Sequence, residues 1–308
     1  MIDMSVEICG VHFKNPIIAA SGTFGFGEEF ARFYDIGLLG GISVKGLTLE
    51  PRQGNPAVRI AETAGGLLNA VGLQNPGVDA FLQEELPRLK QKNVVIIANI
   101  AGSTLDDYAR IARKLRGSGV DIIELNISCP NVTKGGMQFG VRPESVEQVT
   151  RIVKEQCDRP LMVKLSPNVA DITQNALAAQ AGGADALSLI NTLSGMAVDA
   201  FSRRPILGNI IGGLSGSAIK PVALRMVYQV TQAVTIPVIG MGGILTGIDA
   251  AEFMLCGAAA VMVGTANLMD PMACLHILEG LRDFLKQQGI KTARELTGAL
   301  LCERGKSL

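Results

Sequence analysis

The chain has 308 residues, 28 basic against 28 acidic side chains, and 48% hydrophobic residues. That composition excludes a disordered chain, and the even charge gives no electrostatic case for nucleic acid or an anionic membrane. Only two histidines occur, His12 and His276, which excludes His-rich metal sites and argues against a Ser–His–Asp machine.

Short β-branched runs recur along the chain, most of them followed by a helical pattern. The first covers residues 16–21 and ends on Ser21; the second covers 41–46 and ends on Lys45 and Gly46. A long connection over 48–93 follows. It holds the stretch Asn69-Ala70-Val71-Gly72-Leu73-Gln74-Asn75-Pro76-Gly77, in which amides alternate with turn formers. Such a stretch suits a plain loop or a small planar polar ligand. The third run, 94–100, carries Asn99, and a helix is predicted over 105–116 with Leu105, Tyr108, Ala109, Ala112 and Leu115 on its apolar face. The fourth run, 121–128, carries Asn126 and leads into Cys129 and Pro130. Gly135, Gly136 and Gly140 then mark a mobile-loop candidate before a second helix over 145–156. The fifth run, 160–166, carries Lys164. The sixth, 184–190, ends on Ile190, with Asn191 and Thr192 next in sequence. A second long connection, 191–235, is helical over 221–233. The seventh run, 236–240, leads into Gly240-Met241-Gly242-Gly243, and the eighth, 258–264, ends in Val263-Gly264-Thr265.

Most of these runs are apolar nearly throughout, as strands of a parallel sheet covered on both faces must be. Eight strand–helix units close most simply as an α/β fold of the (β/α)8 TIM barrel type, with a doubly wound open sheet as the rival. No linker, repeat or low-complexity tract interrupts the pattern, so the expectation is a single domain over residues 1–308 with insertions after strands two and six. Insertions at the C-terminal ends of barrel strands build or cover active sites, and both are expected to be partly helical at their far ends.

In a barrel, Lys45, Asn99, Asn126, Lys164, Asn191 and Thr192 all face one mouth. Lysines and amides ending apolar strands need a polar ligand there to satisfy them. The glycine loops after strands seven and eight occupy the common phosphate site of this fold, where glycine lets backbone N–H groups approach phosphate oxygens. No G-x-G-x-x-G and no Walker A loop occurs, which leaves a phosphorylated substrate or a flavin mononucleotide.

The six cysteines (Cys9, Cys129, Cys157, Cys256, Cys274 and Cys302) have neither C-x-x-C nor iron–sulfur spacing. Scattered thiols, an N-terminus without an apolar signal region and no uninterrupted apolar span point to the cytoplasm. Cys157, Cys256 and Cys274 suit the role of inert small hydrophobes. Cys129 does not, because its neighbours are polar and it stands at the mouth; a thiol there is a candidate base, with a reference pKa of about 8.5.

Taken together, Ser43-Val44-Lys45-Gly46, Asn126-Ile127-Ser128-Cys129-Pro130-Asn131, Val163-Lys164-Leu165-Ser166 and Gly240-Met241-Gly242-Gly243 resemble the class 1 dihydroorotate dehydrogenases over essentially the whole chain. The stretches 69–77 and 135–140 look like the B-type, NAD-linked branch. The resemblance implies an FMN-containing barrel that oxidises (S)-dihydroorotate to orotate in pyrimidine (UMP) synthesis. It places the FMN phosphate at Gly242, Gly243, Gly264 and Thr265, and the rest of the flavin along Ser21, Lys45, Gly46, Asn99, Asn126, Lys164, Ile190 and Gly216. It places orotate against Lys45, Asn69, Ala70, Val71, Gly72, Leu73, Asn126, Asn191 and Thr192. It implies Cys129 as the base for the C5 proton, a C6 hydride passing to the flavin, Lys164 stabilising charge on the reduced ring, and Lys45 holding flavin and substrate together. The B-type branch further implies a partner subunit with FAD and a [2Fe-2S] cluster, NAD as final acceptor, and a homodimer within a heterotetramer. Class 2 members use a serine base and carry an N-terminal membrane-associating extension; Cys129, and an expected start without such an extension, disfavour that class.

Three alternatives stand beside that reading. An A-type enzyme shares the barrel and the Cys129 motif but reduces fumarate without a partner. A flavin-free sugar-phosphate lyase or isomerase explains the phosphate loops but not the asparagines. A scaffold without chemistry explains neither.

Overall fold

A computed structural model describes residues 2–127 and 139–301. Cys129, Gly135, Gly136 and Cys302 lie outside the described residues. Eight parallel strands close into a barrel. In chain order they are β1 (Ile17–Ala19), β2 (Gly41–Ser43), β3 (Val95–Ile100), β4 (Ile122–Asn126), β5 (Leu161–Lys164), β6 (Ala186–Leu189), β7 (Val238–Met241) and β8 (Ala260–Val263). Each falls inside or within one residue of a predicted run, and the open-sheet rival is excluded because β8 pairs with β1.

The alternation of side chains along a strand divides these residues into two cores. Ile17, Ile42, Ile96, Ile123, Val163, Leu187 and Val261 point outward and pack under the helices. Ile18, Ile97, Ile122, Met162, Ala186, Ile239 and Met262 point inward and fill the barrel. The same period sets the inner face further along each strand, at Ser43, Asn99, Glu124, Asn126, Lys164 and Ser188. A hairpin, Val6–Ile8 with Val11–Phe13, plugs the far end of the barrel with Val6, Ile8 and Phe13. Its turn uses positive φ at Cys9 (53°) and Gly10 (76°), a backbone that suits a two-residue hairpin loop.

The outer helices are amphipathic in the expected way. α1 (Leu105–Lys114) buries Tyr108, Ala109, Ile111 and Ala112 and starts in a capping box between Thr104 and Asp107. α2 (Pro143–Lys154) buries Val146, Val149 and Val153. α3 (Ile172–Ala181), α4 (Lys220–Ala233), α5 (Gly247–Leu255) and α6 (Ala273–Gln287) complete the layer. α5 meets α6 almost backbone to backbone: a Cβ on Gly247 would stand 2.1 Å from the Leu281 nitrogen and 2.2 Å from the Gly280 carbonyl carbon. Gly247→Ala is therefore expected to destabilise the chain by about 1–3 kcal/mol through overpacking. A lowered urea midpoint checks this; an unchanged midpoint would contradict the packing.

The two long excursions carry helix at their far ends, as expected, at Val78–Ala80, Leu86–Lys90 and α4. What the sequence reading did not foresee is that they pair with each other. Ile60–Thr63, Gly66–Asn69, Ile211–Ser215 and Leu193–Met196 form one four-stranded antiparallel sheet, with Asn69 opposite Gly213. This sheet stands beside the C-terminal mouth of the barrel.

Candidate active site

A cavity of about 450 Å³ opens at the C-terminal ends of the strands, walled on one side by Leu67, Asn69, Ser194, Gly213 and Ser215 of the excursion sheet. Every residue given a cofactor, substrate or catalytic role from the sequence lines it except Cys129, which lies outside the described residues. The chain on either side of that segment does reach the cavity, at Ile127 and Gly140. None of the four described free cysteines lines it. Burial pushes the Cys157 and Cys274 thiols up to about 12, which makes both inert near neutrality.

The floor is polar. Glu124, fully buried on β4, accepts hydrogen bonds from Ser43 Oγ (2.7 Å), Asn99 Nδ2 (2.5 Å) and Ser188 Oγ (2.7 Å). Asn99 is fully buried as well, yet its Oδ1 has no hydrogen-bond partner among the described residues. Glu124 is a site residue that the sequence reading missed. The signal was available: an acid in an apolar strand, two residues before Asn126 and so on the same face.

Two lysines supply positive charge. Lys164 is 5% exposed, and its Nζ reaches only Ser21 Oγ, at 3.3 Å, among the described residues. Lys45 is half-buried; burial first and the nearby Arg59 second hold its pKa below the ordinary lysine value, against a smaller opposing effect of Glu29. A buried ammonium with so little protein compensation needs an anionic or strongly accepting ligand.

The glycine loops form a cradle. Gly242 and Gly243 adopt φ of 126° and 79°, which L side chains rarely take. A Cβ on Gly243 would stand 2.8 Å from the Gly216 carbonyl oxygen, so only glycine lets the two loops approach. A Cβ on Gly264 would meet nothing nearer than Ala20 Cβ at 3.8 Å, leaving that backbone open to the cavity. Behind the cradle, Lys220 Nζ binds Asp249 (2.5 Å) and Glu252 (2.8 Å), tying the start of α4 to α5. Thr265 Oγ1 donates to Ser215 Oγ at 2.8 Å and links the last strand to the excursion sheet.

The amide-rich stretch divides in two. Asn69 to Leu73 line the cavity. Gln74 and Asn75 instead pin the loop: Gln74 Oε1 accepts from Arg59, and Asn75 Oδ1 accepts from the Thr48 and Gly77 nitrogens. Across the mouth, Asn191 Oδ1 accepts from the Thr192 nitrogen at 2.7 Å. Asn168, also missed from the sequence, holds Thr192 O and the Ser194 nitrogen and so fixes the turn that presents Asn191 and Thr192.

The family model for dihydroorotate dehydrogenase matches residues 3–285. The chain belongs to the dihydroorotate dehydrogenase family. It is 56% identical to the "Dihydroorotate dehydrogenase B (NAD(+)), catalytic subunit" of Alkaliphilus metalliredigens (strain QYMF), over 97% of this chain and 99% of that protein. It is 57% identical to the protein of the same description from Alkaliphilus oremlandii (strain OhILAs), over 97% and 99%, and 52% identical to that of Petrotoga mobilis (strain DSM 10674 / SJ95), over 97% and 100%. The cavity of this dihydroorotate dehydrogenase family member fits FMN on its own geometry. A cradle that a Cβ would fill suits a phosphate, the unpaired Asn99 Oδ1 suits a ring N–H, and the buried Lys164 suits a ring acceptor that gains negative charge.

Proposed function

We propose that this chain is the catalytic subunit of an NAD-linked dihydroorotate dehydrogenase, oxidising (S)-dihydroorotate to orotate in pyrimidine biosynthesis. FMN is its cofactor, and an electron-transfer partner with FAD and a [2Fe-2S] cluster passes electrons to NAD. The observation that carries the site assignment is convergence. Ser21, two lysines, the amide set and both glycine loops, drawn from all eight strand ends, meet in one cavity.

Gly242, Gly243, Gly264 and Thr265 hold the phosphate. Ser21, Lys45, Gly46, Asn99, Asn126, Lys164, Ile190 and Gly216 hold the rest of the cofactor. Bound FMN supplies the two-electron acceptor for oxidation of the C5–C6 bond. Lys45, Asn69 to Leu73, Asn126, Asn191 and Thr192 hold orotate, whose flat edge of amide donors and acceptors suits asparagine and whose carboxylate suits lysine. Cys129, on the segment between Ile127 and Gly140, removes the C5 proton as its thiolate. Lys164 holds a positive charge where negative charge develops. The excursion sheet keeps bulk water from this side of the mouth.

Residues 1–308 act as one barrel domain, the two excursions being joined through their shared sheet. Among the described residues no helix is long and apolar enough to cross a membrane. We place the enzyme in the cytoplasm, as a homodimer within a heterotetramer.

Lys45 gives a test with a worked sign. Its pKa is lowered on folding, so the ammonium is disfavoured in the native state. The folded chain is penalised below that lowered value, and the penalty lifts as pH rises from it toward the unfolded value of about 10.4. Lys45→Met is therefore expected to raise the ligand-free melting temperature at pH 7 while weakening orotate binding at least tenfold. In the wild type, orotate binding falls with rising pH sooner than an ordinary lysine would require. Thermal melts and orotate titrations check both parts; unchanged orotate affinity in the variant would remove Lys45 from the substrate site. The overall assignment is tested by FMN uptake followed by anaerobic bleaching with dihydroorotate.

A further inference from the structure

We infer that Glu124 is a positioning residue of the cofactor site: it fixes the Asn99 side-chain amide so that the carbonyl, and not the NH2, faces the ligand. This rests on the flavin reading given above. Glu124 touches neither cavity nor solvent, being fully buried on the inner face of β4 and absent from the cavity lining. Its carboxylate joins β2, β3 and β6 through Ser43, Asn99 and Ser188. Asn99 turns its NH2 toward that carboxylate, Nδ2 donating to Oε2 at 2.5 Å, and a carboxylate flanked by two hydroxyl donors offers oxygens that accept. Asn99 Oδ1 then points away from Glu124 with no partner among the described residues, while Asn99 itself lines the cavity. Gly46 leaves that oxygen uncovered: a Cβ there would stand 3.0 Å from Oδ1.

The consequence is chemical selectivity. An amide free to turn could accept from or donate to its ligand with little preference. One locked from beneath offers an acceptor only, so the ligand group meeting it must be a donor. The oxidised isoalloxazine ring carries one N–H, at N3. A buried carboxylate is costly to retain for packing alone, and its three donors all come from polar side chains of the barrel interior.

The test titrates the full apo chain with FMN and with N3-methyl FMN, following quenching of flavin fluorescence. The wild type is expected to bind the methylated flavin at least tenfold more weakly than FMN. Glu124→Met removes the acceptor at similar size. It is expected to weaken FMN about tenfold or more and to narrow the preference for FMN to within about twofold, in line with the loss of one buried hydrogen bond. Glu124→Gln keeps an acceptor oxygen for Asn99, with two hydroxyls able to turn around it, and is expected to rescue both affinity and preference to within about threefold. Should Glu124→Met not fold, Glu124→Asp carries the same comparison, because it withdraws the carboxylate by one methylene and keeps its charge. Wild-type preference retained in Glu124→Met or Glu124→Asp would overturn the proposal, as would a wild type that binds both flavins alike. A wild type that takes up neither flavin would overturn the flavin reading and this proposal with it.

Discussion

Replacing Lys164 with alanine is expected to lower FMN affinity by about tenfold to a hundredfold, the worth of a buried hydrogen bond to a charged group. Lys164 ends β5 on the inner face, with Asn126 and Ser188 as its neighbours in the ladder. It is 5% exposed and has the long 3.3 Å contact with Ser21 Oγ as its one hydrogen bond among the described residues. A protein that buries an ammonium so poorly compensated has reserved it for a ligand. Lys164→Met separates the charge from the packing, since it keeps the aliphatic stem. Both variants are expected to lose FMN to a similar degree, and loaded protein is expected to be reduced slowly by dihydroorotate. Equilibrium dialysis against FMN and anaerobic stopped-flow measure the two effects. Wild-type affinity together with a wild-type reduction rate would remove Lys164 from the site.

The second large effect belongs to Cys129. Cys129→Ser is expected to retain FMN and to slow its reduction by dihydroorotate by about 10²–10⁴-fold near pH 7, the usual worth of a positioned base. Serine keeps the size, but its hydroxyl is not deprotonated near neutrality. The thiolate is the active form, so the wild-type rate rises with pH and levels off above the thiol pKa, near 8.5 for an unperturbed cysteine. The variant shows no such step in that range. Among the described residues no cysteine can stand in, because Cys9, Cys157, Cys256 and Cys274 all lie away from the cavity. Flavin reduction at an unchanged rate in Cys129→Ser would assign the proton to another group.

The barrel was legible because parallel strands covered on both faces read as unbroken apolar runs, and all eight appear where those runs lie. The mouth was legible because polar residues ending such runs have one place to go. Lys45, Asn99, Asn126 and Lys164 share the parity of the inward-facing Ile97, Ile122 and Met162, so one strand period places them all. What escaped the reading depends on partners far away in sequence. The excursion strands are short and glycine-rich (Leu193-Ser194-Gly195-Met196 and Ile211-Gly212-Gly213-Leu214-Ser215), so neither signals a strand alone. Ile211–Ser215 forms by pairing with Gly66–Asn69, well over a hundred residues earlier, and Leu193–Met196 in turn pairs with Ile211–Ser215. The hairpin over 6–13 is built from three-residue strands and is held by the barrel end that it plugs. Glu124 was hidden inside a run read as apolar. Gln74 and Asn75 follow the plain-loop reading of their stretch, since these amides are taken up in fixing their own loop.

The most direct test of the central assignment is the visible spectrum of the purified full-length chain loaded with FMN, recorded before and after anaerobic addition of dihydroorotate. The account predicts a bound oxidised flavin spectrum that bleaches in the presence of dihydroorotate with no other reductant. A chain that stays colourless after incubation with FMN, or a bound flavin that remains oxidised, would contradict it.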